Sequence, residues 1–192
     1  LLAEIATRTS RIELGTGVLN VWGRSPASIA MLAAGLAEMS GGRFTLGLGA
    51  GSPQLAEGLH DVPFRAPVRR LGAVARQVRA LLDGERLTPS TGGRGLRLAA
   101  PTPVPLHLAA LGPAAVRLAG EVADGWSPFL QPLSGLKERM CLLEEGAARV
   151  GRPRPQVAPA LPTALSADVA AWWLTFYLTA MGPLYATTLR EQ

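Results

Sequence analysis

The sequence predicts an α/β protein in which helices cover a parallel sheet. Short apolar segments alternate with longer helical segments along the 192 residues, at the spacing of βα units. Several predicted helices carry start or stop signals, such as Pro26 in a first turn and Asp83-Gly84 at an end. A glycine-bearing strand within residues 40–52 forms the centre of the predicted sheet.

The predicted elements follow in chain order from the first residue. Strands are predicted at 11–19, 44–50, 106–111, 125–127 and 156–165. Helices are predicted at 1–9, 29–39, 68–82, 113–123, 133–150 and 168–190. Pro159 and Pro162 weaken the last strand, since proline cannot donate to a ladder. Asp168 is the predicted cap of the last helix, and Pro183 is predicted to break it.

We expect a single domain over residues 1–192, with a surface excursion at about 85–105. The excursion is rich in glycine, proline and threonine, and a short hairpin is predicted around Gly92-Gly93. The alternation fits either a doubly wound sheet or a (β/α)8 barrel. Five predicted strands are too few to close an eight-stranded barrel, and periodicity does not choose between the two.

Composition argues against several classes of partner. The net charge is +5, but the arginines are scattered and few aromatic residues lie among them, so we expect no nucleic-acid partner. Apolar stretches are interrupted by arginine, glycine and proline, so we expect no membrane partner. The single cysteine, Cys141, excludes an internal disulfide and favours a reducing, cytoplasmic location.

The remaining chemistry-bearing side chains give no catalytic or metal site. His60 and Asp61 lack a third convergent ligand, so no metal site is predicted. We interpret His60 as a surface loop residue, His107 as a packed or hydrogen-bonded strand residue, and Cys141 as a small buried hydrophobe. Asp124, with the glycine after it, is expected to shape a turn at a strand start.

Three glycines recur at every second position of the central strand. In a strand, Gly47, Gly49 and Gly51 share one face, where they leave nothing to pack. This predicts either a flat cofactor or phosphate-bearing ligand against the backbone, or close packing by a neighbouring element. A dinucleotide-binding fingerprint is excluded, because Ser52 stands where its third glycine would be.

Four motifs together resemble the bacterial luciferase-like family of flavin- and F420-dependent oxidoreductases. They are LGTGVLN at 14–20, SGGRFTLGLGAG at 40–51, AALGP at 109–113 and ADG at 123–125. The resemblance favours the branch that uses the deazaflavin F420. It implies an incomplete (β/α)8 TIM barrel containing about strands 3 to 7 of the family barrel, with the cofactor at the carboxyl ends of the strands.

The resemblance also implies a set of cofactor-binding residues. They are Gly17, Val18, Asn20, Ala50, Gly51, Ser52, Ala110, Leu111 and Gly112. It implies a cis peptide bond between Gly17 and Val18 that supports the deazaflavin from behind. The helix beginning at Pro113 offers free N–H groups and a positive dipole end to the cofactor phosphate. The expected cofactor is F420, with FMN as the alternative.

The resemblance leaves the catalytic residues unassigned. The first two strands of the family barrel, which carry residues that contact substrate, have no counterpart here. Ser52 stands where some F420-dependent members have a glutamate, and a serine hydroxyl cannot substitute for a carboxylate as a proton donor near neutral pH.

Three functions follow as hypotheses from this resemblance. The first is hydride transfer between F420, or FMN, and a small organic substrate. The second is a non-catalytic, truncated remnant that binds a flavin or self-associates, and the third is an FMN monooxygenase that uses O2. Exposed sheet edges predict a homo-oligomer. The aromatic cluster Trp172, Trp173, Phe176 and Tyr177 belongs either to the core or to a self-association surface.

Overall fold

Parallel strands form one open sheet in the computed structural model, which describes residues 1–88, 92–99, 102–180 and 185–187. The strands are β1 Leu14–Gly15, β2 Leu19–Asn20, β3 Phe44–Gly49, β4 Leu106–Ala109, β5 Gly125–Trp126 and β6 Gln156–Val157. Both β1 and β2 pair with β3, and the sheet continues through β4 and β5 to β6. Every pairing among these strands is parallel, as predicted.

Helices follow the strands in the predicted alternation. They are α1 Leu2–Arg8, α2 Pro26–Ser40, a π-helix Gln54–Leu59, α3 Pro67–Leu82, α4 Pro113–Val122, α5 Leu133–Arg149 and α6 Ala167–Thr179. The π-helix falls in a predicted loop. The cap prediction for α6 was wrong, because the Ser166 hydroxyl accepts the Val169 N–H (3.3 Å) and Asp168 lies in the first turn. Pro183 and Arg190 lie outside the described residues.

The predicted surface excursion has no helix or strand in its described parts. The Leu87 N–H donates to the Leu96 carbonyl (3.3 Å), which brings its two sides together. Residues 89–91, within the predicted hairpin, are outside the described part of the chain. No described helix is long and apolar enough to cross a membrane.

The strand predicted at 11–19 is divided in two, which corrects the prediction. Between β1 and β2, the Thr16 hydroxyl accepts the Gly47 N–H (2.9 Å) and donates to the Gly47 carbonyl (2.8 Å). At Gly47, the Thr16 side chain therefore takes the place of a backbone partner in the hydrogen-bond ladder between the strands. The peptide bond between Gly17 and Val18 is cis, in agreement with the expectation from the family resemblance.

One face of the sheet packs against the helices and forms the core. Leu46 pairs with Leu106 and Leu48 with Leu108 in the β3–β4 register, and all four side chains are buried. Burial of each leucine contributes about 1.5–3 kcal/mol relative to exposure. The face toward the helices is therefore fixed by the leucines that alternate with the glycines of β3.

Arg43 ties the amino end of β3 to α1. Its guanidinium donates to the carbonyls of Ala6 (2.8 Å) and Thr9 (2.7 Å), close to the end of the helix. It also donates to the Ile12 carbonyl (2.5 Å), and its Nε donates to the Ser40 carbonyl (2.7 Å). One cation thus satisfies carbonyls that helix ends and turns leave without partners.

Asp124 plays the corresponding part at the amino end of β5. Its carboxylate accepts the Leu106 N–H (2.9 Å), and it pairs with Arg79 and with Arg152 (3.0 Å). This agrees with the structural function expected of Asp124. A wide depression of about 360 Å³ opens beside Arg79, Val104 and Asp124, but these charged groups already pair with each other.

Helices α4 and α5 cross with their backbones in contact. A Cβ atom on Gly120 would overlap the Leu143 carbonyl oxygen, and one on Gly146 would overlap the Arg117 carbonyl oxygen. Glycine is therefore required at both positions.

On the surface of the C-terminal half, the structure corrects one prediction and decides between two alternatives for another feature. Cys141 is exposed on α5, so its prediction as a buried residue was wrong. No residue of α6 is buried, and its aromatic cluster lies on the surface. Trp172 is 62% exposed and stacks on Phe176 with ring centroids 5.8 Å apart.

Candidate functional site

The inner face of the sheet is the face opposite the helices. Its lower layer consists of Gly47, His107 and Gly125, and neighbouring groups fill the space beside these glycines. Gly47 pairs with His107, and His107 pairs with Gly125, so all three lie on the same side. A Cβ on Gly47 would overlap the Thr16 carbonyl oxygen, and one on Gly125 would overlap the His107 ring. Close packing, the second interpretation of the glycine pattern, therefore holds in this layer.

The upper layer lies at the carboxyl ends of the strands. Asn20 pairs with Gly49, and Gly49 pairs with Ala109. Ser127 follows β5 directly, and its N–H donates to the Leu108 carbonyl (2.9 Å), next to Ala109. In this layer, the small residues Gly49 and Ala109 therefore lie between the polar residues Asn20 and Ser127.

Among the glycines of the predicted site, free space occurs between β1 and β2 and after β4. A Cβ on Gly49 would lie 2.6 Å from Val18 Cγ2, so ligand approach at Gly47 and Gly49 is excluded by neighbouring protein atoms. At Gly17 and Gly112, by contrast, no heavy atom of the described residues, apart from the glycine and its chain neighbours, lies within 4 Å of the position that a Cβ would take. Gly51 adopts a φ of +65°, a conformation that favours glycine.

Asn20 organises the loop after β2. Its Oδ1 accepts the N–H groups of Trp22 (3.0 Å) and Gly23 (3.3 Å), and its Nδ2 lies 3.3 Å from His60 Nε2. The His60 ring lies against Gly23, where a Cβ would overlap it. His60 lies in a turn outside the helices and strands, as predicted, but it is half-buried and lies beside a predicted site residue.

The segment after β3 joins the same cluster. The Trp22 indole N–H donates to the Ala50 carbonyl, and Asn20 Cβ lies 3.5 Å from a Cβ position on Gly51. The Ser52 hydroxyl accepts the Leu55 N–H (3.4 Å) as the π-helix begins. The structure thus brings Asn20, Ala50 and Gly51 together.

The segment after β4 can meet a ligand through its backbone. The side chains of Ala110 and Leu111 are buried, and the Ala110 carbonyl accepts the Trp126 indole N–H (2.8 Å). Gly112 is the N-cap of α4, where no side chain caps the helix and no acidic residue lies in the first turn. This helix start therefore keeps N–H groups and a positive dipole end available for an anion.

His107 is hydrogen-bonded within the inner face, as predicted. Its Nδ1 lies 3.2 Å from the Ser127 hydroxyl. Burial lowers the pKa of His107 below 6.5, and the nearby Asp124 carboxylate opposes this shift. Among the described residues, no group of His, Cys, Asp and Glu side chains is arranged to hold a metal ion.

Comparison with known proteins identifies a matching family and several similar proteins. The sequence model of a family described as luciferase-like monooxygenase matches residues 1–189. An F420-dependent glucose-6-phosphate dehydrogenase from Nakamurella multipartita is 34% identical over 168 residues, which cover 79% of this chain and 48% of that protein.

Two solved structures show the likeness of fold. An F420-dependent secondary alcohol dehydrogenase in complex with an F420-acetone adduct has a TM-score of 0.79 and 21% identity, covering 95% of this chain and 59% of the other. The oxygenating constituent of 3,6-diketocamphane monooxygenase from Pseudomonas putida, in complex with FMN, has a TM-score of 0.67 and 19% identity, covering 81% and 50%.

The chain spans about half the length of the curated relatives that it matches. At these identities the two solved structures inform the fold alone. Together with the open parallel sheet, they confirm the prediction of an incomplete barrel.

Proposed function

The chain belongs to the luciferase-like monooxygenase family, and from this we propose that it binds F420 at the carboxyl ends of its strands, for hydride transfer to or from a small organic substrate. The observation that carries the proposal is the free space at Gly17 and at Gly112. Gly17 lies between β1 and β2, which pair with one side of β3, and Gly112 follows β4 on the other side, so space is available on both sides of β3.

The proposed contacts involve the nine residues inferred from the sequence. Val18, which is 40% exposed, would place its methyl groups against one face of the cofactor ring. Asn20, with Ala50, Gly51 and Ser52 beside it, would contact the edge of the ring. The backbone of Ala110, Leu111 and Gly112 would receive the phosphate-bearing side chain at the start of α4. The deazaflavin, when bound, supplies the hydride chemistry.

FMN is the second candidate cofactor. The FMN complex with a related fold motivates it, since FMN also combines a flat tricyclic ring with a phosphate. The site residues named above offer backbone N–H groups and apolar contacts that suit both cofactors.

A titration of the purified chain with F420 and with FMN, followed by cofactor fluorescence, tests the proposal. We expect saturable binding of F420 that is at least ten-fold tighter than that of FMN. Tighter binding of FMN would support the second candidate. The absence of a response to both would overturn the cofactor-binding proposal and favour a self-associating remnant.

Catalysis needs a separate test, because the chain spans only half of its relatives. We propose that any hydride transfer by this chain uses a proton donor other than Ser52. Reduction of bound F420 by candidate alcohols, followed by absorbance, would measure it. Retained activity in a Ser52→Ala variant supports this assignment, and loss of activity with unchanged F420 affinity contradicts it.

We also propose that the chain forms homo-oligomers. The support is the open sheet together with the exposed aromatic cluster of α6. Size-exclusion chromatography with light scattering would show a dimer or larger species, and a monomer across micromolar concentrations would contradict the proposal.

A further inference from the structure

The orientation of the Asn20 amide is determined by its surroundings. Its Oδ1 accepts two backbone N–H groups, from Trp22 and Gly23. A half-turn of the amide would place its NH2 group against both of these donors and lose both hydrogen bonds. The Nδ2 group must therefore face His60, at 3.3 Å from Nε2.

This orientation assigns the tautomer of His60. Since Nδ2 can only donate, His60 Nε2 must accept, and an accepting ring nitrogen carries no proton. The proton of the neutral ring therefore lies on Nδ1. Of the two Nδ2 hydrogens of Asn20, one is donated to His60, and no acceptor for the other is found among the described residues.

Gly23 makes this arrangement possible. A Cβ on Gly23 would lie 2.7 Å from His60 Nδ1 and 2.8 Å from Nε2, and it would overlap Cε1. Because Gly23 has no side chain, the imidazole can lie against the loop and reach Asn20 from the segment after the π-helix.

We propose that His60 is a positioning residue that holds Asn20 as a hydrogen-bond donor toward the ligand. The ligand group at Asn20 is accordingly an acceptor, such as a carbonyl or hydroxyl oxygen of the cofactor or substrate. This inference rests on the proposed function, which places Asn20 at the cofactor. Neither His60 nor Gly23 belongs to the residues inferred from sequence.

The tautomer is tested first, on the ligand-free chain. The chain has two histidines, so a spectrum of 15N-histidine-labelled protein contains two ring systems, and a His107→Gln variant assigns them. We expect a protonated Nδ1 and an unprotonated Nε2 for His60 at pH 8, with a change in the Nε2 shift in Asn20→Ala. A protonated Nε2 in the neutral ring would overturn the inference.

The effect on binding is tested with three variants titrated with F420. His60→Leu removes the acceptor, and Gly23→Ala displaces the ring while leaving both polar side chains intact. We expect each to weaken binding about 5- to 10-fold, the value of one neutral hydrogen bond. His60→Gln, whose amide oxygen can accept from Asn20, is expected to remain within about 2-fold of the original chain. Circular dichroism would verify that each variant is folded.

The outcomes separate this inference from the proposed function. Unchanged affinity in both His60→Leu and Gly23→Ala would overturn the positioning of Asn20 alone. Failure of the unmodified chain to bind either F420 or FMN would overturn the proposed function, together with the ligand-facing part of this inference. The nitrogen shifts of His60 would still decide the tautomer in that case.

Discussion

The two ends of the sheet use their polar groups differently. At the amino ends, Arg43 and Asp124 are engaged with backbone groups, and Asp124 also forms ion pairs with Arg79 and Arg152. At the carboxyl ends, the start of α4 has no side-chain cap, and Gly17 and Gly112 face free space. The stabilising contacts and the proposed ligand site thus lie at opposite ends, so substitutions should affect either stability or ligand affinity without the other.

The largest effect is expected from Arg43→Ala at the amino end. Its removal leaves the carbonyls of Ala6, Thr9 and Ile12 without their donor. We expect a loss of about 3 kcal/mol in the free energy of unfolding, measured by urea denaturation. Arg43→Lys is the matched control, since it keeps the charge and loses the planar fork; we expect about half the loss. A loss below about 1 kcal/mol in Arg43→Ala would contradict the assignment.

Asp124→Ala is expected to have the second largest effect on stability. It leaves the Leu106 N–H without an acceptor and both Arg79 and Arg152 without their carboxylate. We expect a loss of about 2 kcal/mol, because these ion pairs are partly exposed and contribute less than buried ones. Asp124→Asn retains an oxygen for Leu106 and should lose about 1 kcal/mol. F420 affinity should not change in either variant, and a changed affinity would break the separation of the two ends.

Gly112→Asp tests the carboxyl end in the opposite direction. Aspartate is a favourable N-cap, so we expect the free energy of unfolding to rise by a few tenths of a kcal/mol. The same carboxylate would repel the cofactor phosphate, and we expect F420 affinity to fall at least ten-fold. Gly112→Ser caps the helix without adding charge and serves as the control for steric effects. Equal affinities in Gly112→Asp and Gly112→Ser would argue against a phosphate at this helix start.

The smallest effect is expected at His107, in the lower layer of the inner face. Burial lowers its pKa in the folded chain below 6.5. The unfolded chain therefore binds more protons just below pH 6.5, and the stability contributed by neutral His107 is complete above that pH and declines as the pH falls toward the folded pKa. Urea denaturation at several pH values should show a shallower acid decline in His107→Gln. Parallel declines would contradict this.

Much of the fold followed from local signals that the sequence displays directly. The strand and helix alternation, Pro26 and Pro113 in first helical turns, and the leucines of β3 and β4 predicted the sheet and its helices. Contacts between distant residues were not predictable in this way. The hydroxyl of Thr16 divides the first predicted strand through a residue 31 positions away, and His60 reaches Asn20 across 40 positions.

Two further differences have local causes that the sequence alone does not resolve. Ser166 and Asp168 are both good capping residues, and only the path of the chain decides between them. The π-helix after Ser52 has no distinct periodic pattern of apolar residues. For the candidate site, the resemblance supplied the segments after β2, β3 and β4. The local signal that could have indicated a side chain such as His60 is Gly23, because its φ is not positive and glycine at this position is therefore explained by the ring packed against it.

The glycine crossing of α4 and α5 has a mechanical consequence. Where Gly120 and Gly146 meet the opposing backbones, no side chain stands between the helices that could change rotamer and absorb a displacement. A tilt of α5 would therefore displace α4 directly at this crossing, and the opposite end of α4 is the helix start at Gly112. A binder or crosslink placed on the outer surface of α5 would thus act from a distance on the start of α4, where we propose that the cofactor phosphate binds.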